Sequence, residues 1–171
     1  TELSSIVERA YHAVALDEHR KAYAVPLWTH RGGEKKEQQL EVEQRWFIGA
    51  HANVGGGYGV AGGGFDPLAS LAYAWLCSQA AAAGLSLHPH QPPPSAHRAL
   101  LRDSYSEFMK GLYRHYHALL DRDGDGRHFR LYDQDAQGNR AVGVTVDPSV
   151  WRRWREEDAY RPVTLVRAGC E

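Results

Sequence analysis

Residues 40–87 hold the feature that most constrains the fold. The aromatic and β-branched run Trp46-Phe47-Ile48 ends at Gly49, then come His51-Ala52-Asn53-Val54, a cluster of glycines, and an alanine-rich apolar stretch opened by Asp66-Pro67. Such a run stopping at glycine reads as a strand entering a core, and Leu40-Glu41-Val42-Glu43 alternates just ahead of it. The glycines give the backbone access to positive φ. Asp66 is a good cap and Pro67 suits a first helical position, so a helix is predicted from there to about Ala83, closed by Gly84. Strand, polar glycine-rich turn and apolar helix together make the unit of an α/β sheet, where functional groups gather at strand ends.

The remaining chain is read around that unit. Ile6, Val7, Ala10, Ala13 and Val14 recur at spacings of three and four, which predicts a helix over residues 3–23 that ends before Pro26. Residues 31–39 and 89–96 read as loops. A helix carrying Tyr105, Phe108, Met109, Leu112 and Tyr113 on one side is expected next. Strand-like stretches follow at 129–132 and 141–146, and then a tail rich in arginine and aromatics. No repeat or long linker divides the chain, so residues 1–171 are expected to lie within one domain.

Composition removes several function classes. Net charge is −1 with histidine neutral, which gives no electrostatic footprint for nucleic acid. Cys77 and Cys170 form neither a disulfide framework nor a CxxC site. The first residues, Thr1-Glu2-Leu3-Ser4-Ser5, have no basic and apolar signal-peptide pattern. Residues 68–87 are the one stretch resembling a membrane span, but Gln79, Gly84 and the alanines favour a helix packed on a sheet.

His51 follows the predicted strand directly. A general base must reach a nucleophile yet keep one tautomer, and a loop on a rigid sheet allows both. A histidine that merely hydrogen-bonds the turn is the other reading. The string Trp46 to Tyr58, WFIGAHANVGGGY, resembles the WFpGvHsDVGGGY pattern of an uncharacterised α/β-hydrolase domain. That domain also forms the catalytic part of type VI secretion phospholipase effectors. Tyr11-His12-Ala13-Val14-Ala15-Leu16-Asp17-Glu18-His19-Arg20 resembles its RHALALDERR segment, and Pro26-Leu27-Trp28 follows as it should. Pro148-Ser149-Val150, Arg153 and Tyr160-Arg161-Pro162 resemble its closing pattern. The resemblance implies the C-terminal part of an α/β-hydrolase three-layer sandwich, with a mostly parallel sheet and helices on both faces. It further implies a lipid-ester substrate, His51 as catalytic base, no cofactor needed for catalysis, cytoplasmic synthesis with delivery by a secretion system, and an immunity or secretion partner.

Two departures matter. No serine of residues 1–171 lies in G-x-S-x-G, the glycine-flanked strand-to-helix elbow of such hydrolases. The nucleophile is therefore expected on another segment or chain. Secondly, the aspartate two residues after the family's histidine is Asn53 here. If that position shapes the turn, little changes; if it orients the histidine, loss of charge costs on the order of 10⁴ in rate.

Asp121-Arg122-Asp123-Gly124-Asp125-Gly126 matches the first half of a calcium loop. Asp121, Asp123, Asp125 and the Arg127 carbonyl are its candidate ligands. The twelfth position is Tyr132, without the bidentate glutamate, and an Asp-Gly reverse turn is the plainer reading. His88, His90, His97, His115, His117 and His128 lack metal-ligand spacing. Trp151-Arg152-Arg153-Trp154-Arg155 reads as arginine stacked on tryptophan. The rival to a hydrolase part is a non-catalytic, calcium-stabilised binding module derived from one.

Overall fold

In the computed structural model, residues 3–4, 6–29, 41–59, 64–120 and 126–170 are described. They form a mixed α/β structure with a small parallel sheet. Strand β1 (Arg9–Ala15) pairs with β2 (Glu41–Phe47), which pairs with β3 (Val144–Val146). The helices are α1 (His51–Gly55), α2 (Pro67–Ala82), α3 (Ser104–Glu107), α4 (Leu112–Leu120), α5 (Pro148–Glu156) and α6 (Val163–Arg167).

Alternation along the strands divides the core between two faces. Val14 and Trp46 pack with Val150 of α5 and Leu165 of α6. Phe47 packs with Ala72 and Trp75 of α2, and Tyr11 and Ala13 join that cluster. Both faces of β1 and β2 are thus covered, so these strands carry apolar residues on each side. The polar exception is Gln44, fully buried in β2. Its amide accepts from the Trp28 N–H and donates to the carbonyls of Trp28 and Val142, at 2.9, 3.0 and 2.8 Å. Both polar atoms of the Gln44 amide are satisfied, and the loop is tied to the central strand.

The predicted helix over residues 3–23 is instead β1 followed by a 3₁₀ turn at Lys21–Tyr23. Its spacing of three and four was produced by apolar residues serving two faces of a strand. The strand expected at 129–132 is absent. There the backbone serves side chains instead: the Tyr132 carbonyl accepts from Trp46 Nε1 and the Arg130 carbonyl from the Thr164 hydroxyl. At 141–146 only Val144–Val146 is strand, and Ala141 makes an antiparallel bridge to Thr29. The single helix expected around 105–113 is broken between α3 and α4, where Met109, Lys110 and Gly111 have φ of 52°, 56° and 88°.

Helix α2 runs as predicted, with Asp66 accepting from the Leu68 N–H at 2.9 Å. It leans on the sheet through Leu68, Ala72 and Trp75. No described helix is long and apolar enough to cross a membrane. In the tail, Arg153 is buried, donates to the Ala99 carbonyl and lies 5.0 Å from the Tyr160 ring centre, while Arg161 covers Trp154. The predicted loop at 31–39 lies outside the described residues.

Candidate active site

The turn after β2 is built around Gly49. Its φ of +113° suits glycine, and a Cβ there would meet the Asn53 Cβ at 2.5 Å. The Gly49 N–H donates to Asp17 Oδ2 at 2.7 Å, while the Asp17 N–H donates back to the Gly49 carbonyl. Asp17 is buried and also accepts from the Tyr160 hydroxyl at 3.2 Å. Burial pushes its carboxyl up, against the Gly49 and Tyr160 hydrogen bonds. This clamp joins the ends of β1 and β2 and sets where α1 starts, with His51 as its first residue.

Asn53 belongs to the same turn. Its Oδ1 accepts from the Ala50 N–H at 3.3 Å and the Arg102 N–H at 3.4 Å, and its Nδ2 donates to Asp66 Oδ2 at 3.1 Å. Asp66 in turn caps α2. Asn53 is thus spent on the backbone of the turn and on Asp66, which gives it the turn-shaping role. An aspartate here would set a second carboxylate against Asp66.

His51 is held from the other side by Glu18. Nδ1 lies 2.6 Å from Glu18 Oε2, the His51 side chain is 40% exposed, and Glu18 is fully buried. The carboxylate also accepts from Arg20 Nε and Nη2, at 2.9 and 3.1 Å, and from the Ser104 hydroxyl at 3.0 and 3.1 Å. Burial opposes ionisation of Glu18, but the hydrogen bonds from Arg20 and His51 outweigh it and hold the carboxyl at about 2. An ionised Glu18 can only accept, so Nδ1 carries a proton, and in the neutral ring the lone pair is then on Nε2. Arg20 Nη2, 3.0 Å from Nδ1, is then a close contact and not a second donor to it. The Tyr23 ring stacks on His51 at 4.3 Å and 18°, and the Arg20 guanidinium lies over Tyr23 at 4.1 Å.

A groove of about 380 Å³ runs from His51 along β1, lined by Tyr11, Ala13, Ala15, Val54 and Arg130 among others. The Arg130 guanidinium donates to the carbonyls of Ala15 and Tyr23, and burial lowers it to about 10 despite Glu18 and Asp17.

Of the candidates read from sequence, His51 is in this site. Asp121, Asp123 and Asp125 lie outside the described residues, and among the described residues no three His, Cys, Asp or Glu side chains converge as metal ligands. The Arg127 side chain grips Asp103, with Nη1 at 3.2 Å and Nη2 at 2.5 Å. Ser104 was read only as a serine lacking an elbow; its hydroxyl is engaged by Glu18. Glu18 and Asp17 are the residues that sequence reasoning missed. Their signal was an acidic pair directly after Val14-Ala15-Leu16, hidden once that run was read as helix.

The stretch containing both lies within a match to a family model. Residues 1–79 match the family described as T6SS, Phospholipase effector Tle1-like, catalytic domain. The match takes in β1, β2, α1 and most of α2, with Asp17, Glu18, Gly49 and His51. No curated protein and no solved structure matches the chain. The similarity is therefore to a family of phospholipase effectors of type VI secretion, over less than half of the chain.

Proposed function

We propose that this chain supplies the base side of a serine-hydrolase active site acting on lipid esters, within an α/β-hydrolase sandwich of which it forms the C-terminal part. The observation that carries the reading is a histidine that lines a groove and whose Nδ1 is fixed by an ionised carboxylate, which leaves Nε2 unbonded among the described residues. That arrangement suits a general base. Nε2 would take the proton of an attacking serine hydroxyl and return it to the departing alcohol. Water would then release the acyl group by the same route in reverse. Glu18 acts through His51 and is a positioning residue.

The serine would come from a segment carrying GxSxG. The free edge of β1 supports this. Leu16 donates to Phe47, and Glu8 accepts from Glu41, so even-numbered residues of β1 face β2. Arg9, Tyr11, Ala13 and Ala15 therefore turn their backbone groups to the other side, where the Ala15 carbonyl accepts from Arg130 and no strand pairs with these residues among the described residues. Similarity to the effector family extends the proposal to phospholipid substrates, delivery by a secretion system and an immunity partner. The 171-residue chain alone should not turn over a short-chain p-nitrophenyl ester. A polypeptide that joins it to the GxSxG segment should, and His51→Ala should lower kcat by about 10⁴–10⁶-fold. Full activity in that variant would remove His51 from the chemistry.

The absence of GxSxG from these residues favours one other reading, a calcium-stabilised binding module. Three carboxylates within Asp121–Asp125 repel one another unless a cation joins them. Calcium should then raise the melting temperature, EDTA should reverse the rise, and Asp123→Ala should abolish it. An unchanged melting curve leaves the segment a polar turn.

A further inference from the structure

Residues 102–104 reach the site from the part of the chain beyond residue 79, where the family match ends. Each of the three holds something. The Arg102 N–H donates to Asn53 Oδ1 at 3.4 Å, on the turn that carries His51. The Asp103 carboxylate anchors the segment, gripped by the Arg127 guanidinium and accepting from the Ser106 hydroxyl at 2.7 Å. The Ser104 hydroxyl donates to the Glu18 carboxylate, 3.0 Å from Oε1 and 3.1 Å from Oε2. Ser104 is only 4% exposed, and its single proton goes to Glu18. It is placed as a donor to the acid and not as a nucleophile.

We propose that Ser104 is a positioning residue that sets how strongly Glu18 holds the His51 Nδ1 proton, and so tunes His51 as a base. The inference rests on the general-base reading above and deepens it. The serine proton is shared between both carboxylate oxygens, whereas His51 Nδ1 meets Oε2 alone, at 2.6 Å. A donor to a carboxylate favours its ionised form and weakens it as an acceptor for others. Ser104 therefore draws charge off the oxygen that faces the histidine. Around the pair stand Arg20, forked onto Glu18, Tyr23 against the His51 ring, and Tyr58 and Arg130, both within reach of the Glu18 charge. Arg102 lies over Tyr58 and pairs with Glu107. Asp17 and His19 flank Glu18 in the chain. Ser104→Ala takes a hydrogen bond from Glu18 and from none of these, so the substitution isolates the one bond.

Proton NMR of the 171-residue chain tests this without any turnover. Ser104→Ala leaves more charge on Oε2, so the His51 Nδ1 proton should resonate further downfield than in the wild type. Ser104→Thr keeps the hydroxyl and should leave the resonance in place. Ser104→Cys, a weak donor of similar shape, should move it part of the way. In the polypeptide joined to the GxSxG segment, a more strongly held proton keeps the ring cationic to higher pH. The acid limb of kcat/KM should then move up by about half a unit to one unit in Ser104→Ala, a change that loss of packing alone does not produce. An unmoved resonance in the alanine and cysteine variants overturns the inference. So does a threonine variant that behaves as alanine does, or an acid limb that stays in place in an active joined enzyme. A moved resonance in a joined polypeptide without turnover supports the tuning by Ser104 and removes the hydrolase reading alone.

Discussion

Glu18→Ala is expected to cost about 3–5 kcal/mol of folding stability, the range for leaving one member of a buried ion pair without its partner. Arg20 is only 3% exposed, and its Nε and Nη2 both point at the lost carboxylate. The Ser104 hydroxyl would lose its acceptor as well. Glu18→Gln keeps the shape and removes the charge, which separates electrostatics from packing. The folded carboxyl sits at about 2, below the ordinary 4.5. Its contribution is therefore fully present above pH 4.5 and is lost as pH falls toward 2. Urea denaturation over that window should show the wild type losing more stability than Glu18→Gln, with a difference on the order of 3 kcal/mol. Equal acid limbs would mean that Glu18 is not ionised in the fold. A histidine ¹⁵N spectrum adds a local readout: His51 should hold its proton on Nδ1 in the wild type and populate both tautomers in Glu18→Ala.

The second large effect is at Gly143. Its φ is +60°, and a Cβ there would collide with the Val42 carbonyl, its carbon at 2.8 Å and its oxygen nearer still. The Gly143 carbonyl also accepts from the Gln44 N–H at 2.8 Å. Alanine would have to part the lead-in to β3 from β2. Overpacking costs about 1–3 kcal/mol and the left-handed backbone about 1–2 more, so Gly143→Ala should lose about 2–5 kcal/mol. Gly138→Ala is the control: its φ is +78° with nothing within 4 Å of the added Cβ, so only the backbone cost applies. Equal melting temperatures for the two variants would contradict the close approach.

The turn from Trp46 to Gly56 and the helix beyond were legible because their signals are local. Gly49 must be glycine, Asp66 must cap, and Pro67 suits a first turn, each for reasons within a few residues. β1 was not legible. Ala10 and Val14 face one layer while Tyr11 and Ala13 face the other, and a strand buried on both sides loses the alternation that marks strands. Helix 105–113 failed for another reason: only Gly111 hinted at a break, and nothing marks Met109 and Lys110 for left-handed backbone. In the site, His51 could be found from its place after a strand. Glu18 could not, because its link to His51 spans 33 residues and exists only once β1 and β2 run parallel.

The order β1–β2–β3 has a consequence for synthesis. β3 joins the central strand about a hundred residues after β2. By chain statistics that closure costs only ~2 kcal/mol more than a ten-residue loop. Time is the larger matter. At about 5–20 residues per second, β2 waits roughly 5–20 s for β3 to be made. Throughout that interval the strand that will be innermost is an edge. The Tyr132 carbonyl that receives the Trp46 indole N–H is also still unmade for most of it. A nascent chain of this topology thus carries Trp46 and Phe47 on an edge strand until residues 144–146 are made, the stage at which it is most open to mispairing with a neighbour.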